Sequence, residues 1–493
     1  MDTIAAIATP AGTGGIAVIR ISGPDAFTIA DSVWKGTRLT SATSHTAHLG
    51  EITADDGTTL DQAVATVFAG GRSFTGEPTV EFSIHGASWL QREVLTRLIN
   101  AGARMAEAGE FSQRAVINGK MDLAQAEGVA DLIAASSRAA HRIATMQMKG
   151  VFSRRLDDLR QQMIDLAALL ELELDFSEED VEFADRSRLT DLCDNTLSEV
   201  RRLASSFRTG RALKEGVAVV IAGIPNAGKS TLLNRLLDDE KAIVSDIPGT
   251  TRDIIEDTAE IDGILYRFID TAGLRDATDD IERIGIDRAR TRISKADILL
   301  YLIDPTADLD TQIAGLSPII PLLPTDTPLL PLLTKVDLPL PPNFAAPLRD
   351  RLSRLRTDAP IHISANTGKG IDTGAPIHIS ANTGEGIDTD APIHISANTG
   401  EGIDTLLDRL RSLVTNEHDP AQEILITNMR HYEALTATAD ALCRTLDGLR
   451  TQLPSDLIAQ DLREAIHHLS LITGAITTDT LLHTIFSRFC IGK

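Results

Sequence analysis

The sequence predicts a protein of several domains, in which an α/β domain is inserted into an all-helical domain that follows a small α+β domain. Three observations predict this. The chain has 493 residues, enough for two to four domains. Short β-branched runs mix with helical patterns over 1–118, and long Leu- and Ala-rich patterns fill 119–213 and 415–493. Between them, strand-like and helix-like segments alternate over 214–414, which is typical of a parallel sheet.

The N-terminal segment is predicted to be the small α+β domain. Three short apolar, β-branched runs over 16–21, 63–68 and 79–84 are predicted strands. A helical pattern follows over 88–100.

Helical patterns flank the α/β segment on both sides. Apolar residues recur at three- and four-residue spacing over 163–174, and helices return over 421–482. We therefore expect one helical domain whose halves are contributed from either side of an inserted domain.

The inserted segment opens with a phosphate-binding loop in its required context of strand, loop and helix. The apolar run 217–221 predicts a buried strand, Gly223-x-x-x-x-Gly228-Lys229-Ser230 follows at once, and an apolar helix pattern follows the loop. The glycines let backbone N–H groups surround phosphate oxygens, and the start of the helix adds a positive dipole end. Lys229 is predicted to reach the β- and γ-phosphates, and the Ser230 hydroxyl to hold Mg²⁺.

Later segments supply the other parts of a nucleotide switch. Thr250 and Thr251 follow a Pro-Gly turn and are candidates for a loop that closes on Mg²⁺ and the γ-phosphate. Asp270 ends a predicted strand, where a carboxylate can hold Mg²⁺ through water, and the N–H of Gly273 can meet the γ-phosphate.

Two further motifs indicate that the base is guanine. Asp337, in Thr-Lys-Val-Asp, can accept hydrogen bonds from both N1–H and N2–H₂ of guanine, a pair that adenine lacks. Pro331 in the preceding apolar run weakens the strand prediction there. A Ser-Ala-Asn loop after a later strand can present a backbone N–H to guanine O6. Each motif alone is more often a turn, but in this order after a phosphate loop they predict a guanine-nucleotide domain.

Composition narrows the class of protein. The net charge of −23 argues against broad nucleic-acid affinity, and aromatic residues, at 4%, offer few stacking platforms, so a partner is expected to carry much of any RNA recognition. The sequence contains no run of 18 apolar residues, so no membrane span is predicted, and no secretion signal is recognised at the N-terminus. Three widely spaced cysteines fit a reducing cytoplasm.

These motifs resemble the translation-factor-related GTPases and, in detail, the MnmE (TrmE) family of tRNA wobble-uridine modification. The resemblance covers nearly the whole chain, including both ends. Its motifs are Gly14–Gly23, Ser73–Glu77, Gly109–Ser112, Asp122–Glu127, Asn226 in the phosphate loop, Gly249–Asp253, Asp270–Arg275, Ile281–Ile286 and Phe489–Lys493.

The resemblance implies a mechanism and partners. Members of the family hydrolyse GTP with a K⁺ ion in place of an arginine finger, and their G domains pair across that ion. They form homodimers through the N-terminal domain and work with MnmG, a flavin protein, in a heterotetramer. Together they place a carboxymethylaminomethyl-type group on C5 of the wobble uridine of certain tRNAs. The one-carbon unit comes from a tetrahydrofolate, and the N-terminal domain is similar to folate-binding domains.

Site residues follow from the motifs and the resemblance together. The residues predicted to bind the nucleotide or its ions are Asn226, Ala227, Gly228, Lys229, Ser230, Thr231, Ser245, Asp246, Ile247, Pro248, Gly249, Thr250, Thr251, Asp270, Thr271, Ala272, Gly273, Thr334, Lys335, Asp337, Ser396, Ala397 and Asn398. Ser230 and Thr251 are assigned to Mg²⁺. The resemblance assigns to K⁺ the residues Asn226, Ser245, Ile247 and Thr250.

The resemblance also assigns residues that carry no signal of their own. Arg20, Glu81, Lys120 and Lys493 match positions tied to 5-formyltetrahydrofolate, although from sequence alone each is an ordinary surface charge. Glu282 matches the glutamate that positions the attacking water; without the resemblance, a solvated helix-face charge is the better interpretation.

Cys490 matches a cysteine that the family ties to the modification chemistry. As a nucleophile it would need a lowered pKa, and a small apolar packing residue is the equal alternative.

The chain departs from its family in a triplicated segment within 359–405. A segment of nearly identical sequence recurs at a period of 16 residues, where the family has one copy. Only the third copy leads directly into the helix predicted over 405–414, so we expect that copy, with Ser396, Ala397 and Asn398, to contact guanine. The first copy is the second choice, and the others are expected to form an extruded loop or extra hairpin.

Two substitutions affect base recognition. Thr334 stands where the family has the Asn that braces the phosphate loop, and Asn398 stands where it has Lys. Guanine selectivity is expected to survive with a modest loss of affinity. Two other functions stay open: a switch GTPase of ribosome assembly, and a GTP-binding scaffold whose hydrolysis is impaired by the repeats.

Overall fold

The fold is described from a computed structural model. It describes residues 2–69, 71–175, 186–237, 243–244, 256–270, 293–324, 327–335, 393–397, 402–415, 423–476, 479–487, 489 and 492. The chain divides into two compact units. One comprises Met1–Ala134, Ala144–Ala204 and Arg430–Lys493, and the other Ala135–Ile143 and Ser205–Met429.

The first unit contains an antiparallel-rich sheet whose described strands follow the order β3-β4-β5-β6-β2-β1-β7. The strands are β1 (Ile4–Ile7), β2 (Gly14–Ser22), β3 (Trp34–Lys35), β4 (Thr46–Thr53), β5 (Thr59–Phe68), β6 (Thr79–Gly86) and β7 (Arg104–Met105). Helices α1 (Ala26–Val33) and α2 (Ser88–Asn100) bury their apolar faces against it, with Ile19, Phe82 and Val94 fully buried in the shared core. The predicted strands and helix of the N-terminal segment are therefore confirmed.

The helices of the first unit come from distant parts of the chain. They are α3 (Glu110–Ile117), α4 (Leu123–Ala134), α5 (Arg138–Met148, which crosses into the second unit), α6 (Val151–Asp175), α7 (Arg186–Ser205), and then, after the second unit, α12 (Met429–Arg450), α13 (Ser455–Thr473) and α14 (Asp479–Phe486). Helix α6 packs against α13, and α14 contacts α3. Phe486 of α14 is buried with Leu123 and Ala126 of α4, so the end of the chain packs on helices near residue 120.

The second unit is an α/β fold around a mixed sheet. Its described elements are α8 (Phe207–Glu215), β8 (Val217–Gly223), α9 (Lys229–Leu237), β9 (Ile243–Val244), β10 (Glu256–Ile261), β11 (Ile264–Asp270), β12 (Ile298–Ile303), α10 (Leu309–Leu316), β13 (Leu329–Leu333), β14 (Ile393–His394) and α11 (Ile403–Thr415). The strand order is β14-β13-β12-β8-β11-β10-β9. Strands β14, β13, β12, β8 and β11 run parallel, and β10 is antiparallel to both of its neighbours.

Strand β13 forms despite Pro331, which pairs with Tyr301 of β12. The N–H of Thr334 donates to Ile303 of β12, so alternation along the strand points the missing donor of Pro331 to the opposite side. On that side, the described part of β14 begins only opposite Leu332. The proline therefore costs the sheet no ladder bond among the described residues.

The apolar faces of this sheet are covered on both sides. Leu232 and Leu236 of α9 and Leu406 and Leu410 of α11 are completely buried in the core cluster on one face, and Leu316 of α10 is completely buried in the cluster on the other face. The layer architecture predicted for the inserted segment is present, with the carboxyl ends of the parallel strands at one edge.

Among the described residues, no helix has both the length and the hydrophobicity that crossing a membrane would require.

Candidate nucleotide site and N-terminal polar site

The phosphate loop joins the end of β8 to the start of α9. Gly223 has φ +154°, and a Cβ there would lie 2.8 Å from the carbonyl oxygen of Leu302, so only glycine fits at the loop entry. Gly228 has φ +96°, and α9 begins at the next residue, Lys229. The loop geometry thus places the N-terminus of a nine-residue helix directly behind a glycine turn.

Four polar residues of the loop and the first turn of α9 have clear placements. The ammonium of Lys229 donates to the carbonyl oxygens of Gly223 at 2.9 Å and Ile224 at 3.0 Å. Asn226 is exposed with φ +61°, a left-handed conformation that Asn tolerates better than most residues. Ser230 and Thr231, in the first turn of α9, are exposed, whereas Ala227 is buried in the core.

Many predicted site residues lie outside the described residues. Those are Ser245, Asp246, Ile247, Pro248, Gly249, Thr250, Thr251, Thr271, Ala272, Gly273, Glu282, Asp337, Asn398, Cys490 and Lys493. The backbone of Asp270 ends β11 and pairs with Ile221 of β8, which places it at the same sheet edge as the phosphate loop.

Thr334 and Lys335 follow β13 at that edge. The Thr334 side chain is buried, and both its hydroxyl, at 3.2 Å, and its N–H, at 2.9 Å, donate to the carbonyl oxygen of Ile303. Both hydrogen bonds tie Thr334 to β12. Lys335 has φ +56°, and its ammonium lies 2.5 Å from the Asp304 carboxylate.

Asp304 is a residue that the sequence analysis missed. It follows β12 directly and is buried, and it accepts hydrogen bonds from Lys335, from Thr306 N at 2.9 Å and from Thr306 Oγ1 at 2.7 Å. Burial alone would raise the pKa of this carboxyl, but the hydrogen bonds from Lys335 and Thr306 hold it below the usual value. A carboxylate at the carboxyl end of a parallel strand is a signal that could have identified it.

The third copy of the repeat supplies the next strand of the sheet. Ile393 and His394 form β14 and pair with Leu332 and Leu333, and the N–H of Ile395 donates to the Leu333 carbonyl at 2.8 Å. Ser396 is buried, and Ala397 packs against the core. The edge therefore carries the phosphate loop, Asp304, Lys335 and the third Ser-Ala pair in that order.

A second cluster of predicted residues lies in the N-terminal sheet. Arg20 of β2 and Glu81 of β6 face each other across the strands, with Nε 2.7 Å from Oε1, and both are largely shielded from solvent. The Arg20 guanidinium lies 5.5 Å from the ring centre of Phe74 and 5.4 Å from that of Phe111. A charged pair framed by two aromatic rings is suited to a planar, polar ligand.

Lys120 borders the same loop as Phe74. Its ammonium donates to the Gly71 carbonyl at 3.0 Å, and a Cβ at Gly76 would lie 3.1 Å from Lys120 Cγ. The lysine stem thus crosses the loop 71–77 on which Phe74 stands.

The C-terminal turn approaches the same sheet. Gly492 packs against the end of β1, where a Cβ on it would lie 3.2 Å from Ala8 Cα, and β1 pairs with the strand that carries Arg20. Upstream, Gly109, with φ +67°, lets Phe486 and Phe489 approach the start of α3. The two close contacts place the chain end at β1, next to the strand that carries Arg20, and at the start of α3.

Comparison with known proteins identifies the family. The family model "MnmE helical domain" matches residues 123–490, and "GTP-binding protein TrmE N-terminus" matches 3–120. The tRNA modification GTPase MnmE of Cytophaga hutchinsonii is 46% identical over 100% of this chain and 98% of its own length. That of Parabacteroides distasonis is 44% identical over 100% of both chains.

A solved GTP-binding protein from Sulfolobus solfataricus, in complex with GDP, is 19% identical with a TM-score of 0.27. The match covers 52% of this chain and 67% of the solved chain, and with so low a TM-score we draw no conclusion from it. The two family models and the full-length relatives are sufficient by themselves. The chain belongs to the MnmE (TrmE) family and is a GTP hydrolase of tRNA modification.

Proposed function

We propose that this GTPase is activated by K⁺ and acts, with a flavin-dependent partner, on C5 of the tRNA wobble uridine, using a one-carbon unit from a tetrahydrofolate. The observation that carries the nucleotide part is the phosphate loop, where two glycines with positive φ precede α9 and Lys229 lies at the loop carbonyls. The predicted G domain, 214–414, and the remaining predicted boundaries are part of the same proposal.

The loop residues fit the two ions. The exposed hydroxyl of Ser230 stands in the first turn of α9, where it would hold Mg²⁺, a hard cation that prefers oxygen ligands. The exposed amide of Asn226 offers an oxygen to K⁺, together with Ser245, Ile247 and Thr250. A cation bound there offsets the negative charge that develops on the phosphates during transfer. Thr251 would complete the Mg²⁺ site, and Glu282 would orient the attacking water.

The test of the ion is GTP hydrolysis in KCl against NaCl at equal ionic strength, with ATP as the control substrate. Asn226→Gly removes the amide oxygen but accepts φ +61° without strain, so it is expected to abolish K⁺ stimulation without disturbing the loop. Asn226→Asp keeps an oxygen and is expected to retain a response. Equal turnover in both salts would refute K⁺ activation, and nucleotide binding without turnover would favour a scaffold role.

The polar pair in the N-terminal sheet supports a tetrahydrofolate site. Arg20 and Glu81 can bind complementary edges of a pterin-like ring, the rings of Phe74 and Phe111 can enclose it, and Lys120 supplies a cation for a ligand carboxylate. Lys493 and Cys490 would join this site from the C-terminal turn. Homodimerisation through this domain, and pairing of G domains on GTP and K⁺, are parts of the proposal that the family supports.

Calorimetry with 5-formyltetrahydrofolate tests this site. Arg20→Gln is expected to weaken binding at least about tenfold, because it removes a charge-assisted hydrogen-bond donor. Lys35→Gln is the matched control, since Lys35 forms an exposed ion pair with Glu51 in the same sheet. If the two variants bind alike, Arg20 is not part of a folate site.

The net charge of this chain, as well as its family, supports the proposal of an MnmG-like partner. At a net charge of −23, the chain alone is a poor ligand for tRNA phosphates. Wobble-uridine modification is therefore expected only when an MnmG-like flavin protein is added. Full modification by this chain alone would contradict that expectation.

A further inference from the structure

A buried carboxylate holds the lysine that follows β13. Asp304 Oδ2 lies 2.5 Å from Lys335 Nζ, and the Asp304 side chain is only 6% exposed, against 34% for Lys335. The buried carboxylate of Asp304 is held in place, whereas the more exposed Lys335 side chain has more freedom to move. Asp304 therefore determines where the lysine ammonium lies.

Asp304 is itself fixed from two directions. Its backbone N–H donates to Gln312 Oε1 at 2.8 Å, and Gln312 Nε2 donates to the Asp304 carbonyl at 2.9 Å. Gln312 is completely buried on α10. The other carboxylate oxygen accepts from the N–H and hydroxyl of Thr306. Such a closed network leaves the carboxylate little freedom to move.

Lys335 has an unusual backbone that needs support. Its φ of +56° lies in the left-handed region, which a lysine seldom occupies. Thr334, one residue earlier, is tied to Ile303 by both its hydroxyl and its N–H. The pair Ile303 and Asp304 therefore holds both Thr334 and Lys335, and the segment after β13 is fixed to the end of β12.

The position of this pair links it to the nucleotide. In the sheet register, Gly223 at the phosphate-loop entry pairs with Leu302, and Leu333 pairs with Ile303. The end of β12 thus lies between the phosphate loop and Lys335. A lysine anchored there by its ammonium can lay its apolar stem along the face of a base whose phosphates occupy the loop.

We propose that Asp304 is a positioning residue for guanine-nucleotide binding, which acts by fixing Lys335 against the base. This rests on the GTPase function proposed above and on the guanine recognition predicted from the sequence. In this chain Thr334 is hydrogen-bonded to Ile303 of β12. We therefore assign to the Asp304–Lys335 pair, supported by Gln312, the alignment of the segment after β13 with the phosphate loop.

A double-mutant cycle on the full chain tests the proposal, with mant-GDP fluorescence as the measure of affinity. Asp304→Asn keeps the shape and removes the charge, and is expected to weaken mant-GDP binding about tenfold, as loss of one charge-assisted hydrogen bond would. Lys335→Met keeps the stem and removes the ammonium. In the Lys335→Met background, Asp304→Asn is expected to change the affinity less than about twofold, because its effect passes through the lysine.

The matched control is Asp308→Ala. Asp308 caps α10 four residues from Asp304, and its carboxylate accepts from Thr311 N at 2.8 Å. This variant is expected to lower the melting temperature and leave the mant-GDP affinity unchanged. Should Asp304→Asn not fold, Asp304→Ser replaces it in the same cycle.

Three outcomes would overturn the proposal, and they are distinguishable. Equal losses of affinity for Asp304→Asn and Asp308→Ala would mean that Asp304 acts only through stability. An undiminished effect of Asp304→Asn in the Lys335→Met background would mean that it acts by another route. An unchanged affinity in Lys335→Met alone would mean that the ammonium anchor does not position the base, which overturns the proposal but leaves the proposed guanine-nucleotide site standing, because methionine keeps the apolar stem.

Discussion

Replacing Glu127 by Gln is expected to destabilise the first unit strongly. Glu127 of α4 is 8% exposed and receives Arg430 Nη2 at 2.9 Å and His431 Nε2 at 2.6 Å, both from the first turn of α12. Arg430 also donates to the carbonyl oxygens of Leu471 and Ile472 at the end of α13. One carboxylate therefore joins three helices that are far apart in the sequence.

The magnitude follows from the pKa of this carboxyl. Burial would raise it, but the charges and hydrogen bonds of His431 and Arg430 outweigh burial and lower the pKa of Glu127 from 4.5 to about 2. At about 1.4 kcal/mol for each unit, the ionised form contributes about 3 kcal/mol. Removing one partner of a buried ion pair costs a similar amount, about 3–5 kcal/mol, because the other charges are left unpaired.

The sign of the pH dependence is fixed by the lowered pKa. Since the folded-state pKa lies below the unfolded value, the contribution is complete above 4.5 and is lost as the pH falls towards 2. The difference in unfolding free energy between the wild type and Glu127→Gln should therefore be constant near neutral pH and shrink through this acid window.

Tryptophan fluorescence during urea unfolding is the appropriate assay. Both tryptophans, Trp34 and Trp89, belong to the first unit, so the signal reports that unit. Glu464→Gln is the matched control, because Glu464 forms an exposed ion pair with Arg444 and its loss is expected to cost at most about 1 kcal/mol. A loss below about 1 kcal/mol for Glu127→Gln, or one equal to the control, would refute the reasoning.

Three further predictions concern the first unit. Gly109→Ala should cost about 2 kcal/mol in the same urea assay, because φ is +67° and the new Cβ would lie 2.5 Å from the Phe486 carbonyl oxygen; an unchanged midpoint would contradict this. Cys193 should resist a thiol reagent at pH 8 in the native chain lacking the other cysteines, since burial and the neighbouring Asp194 charge raise its pKa to about 12; rapid modification would contradict it. Ser22→Ala should cost about 1–3 kcal/mol and weaken 5-formyltetrahydrofolate binding in calorimetry, because the buried Ser22 hydroxyl joins Thr75 at 2.7 Å to β2 beneath the loop 71–77; unaltered binding would separate that loop from the ligand.

The phosphate loop is a part of the structure that the local sequence predicts correctly. An apolar strand, two glycines at fixed spacing and a Lys-Ser helix start predicted β8, the loop and α9, and all three are present. The prediction succeeds because the loop conformation depends on positive φ at Gly223 and Gly228, which residue type alone decides. The resemblance to the MnmE family rested on equally local motifs and is confirmed.

The triplicated segment is a part of the structure that the local sequence alone does not predict. Three nearly identical copies have the same strand propensity, so propensity cannot choose among them. The structure pairs Ile393 and His394 of the third copy with β13, and that copy is followed closely by α11, whose leucines complete the core. Whether Ser396 and Ala397 contact guanine stays a prediction. The third copy pairs with β13 at a point from which the chain continues into the buried helix α11, so a tertiary constraint, and not strand propensity, accounts for its place in the sheet.

The sequence by itself determined the family, the α/β insertion and the phosphate loop, because each depends on short motifs and their order along the chain. Only the tertiary structure decided that β13 tolerates Pro331, that Asp304 holds Lys335, and that Glu81 lies against Arg20. Each of these depends on the register of two strands separated by tens of residues. Strand register is set by packing over the whole sheet, so no local pattern could predict those contacts.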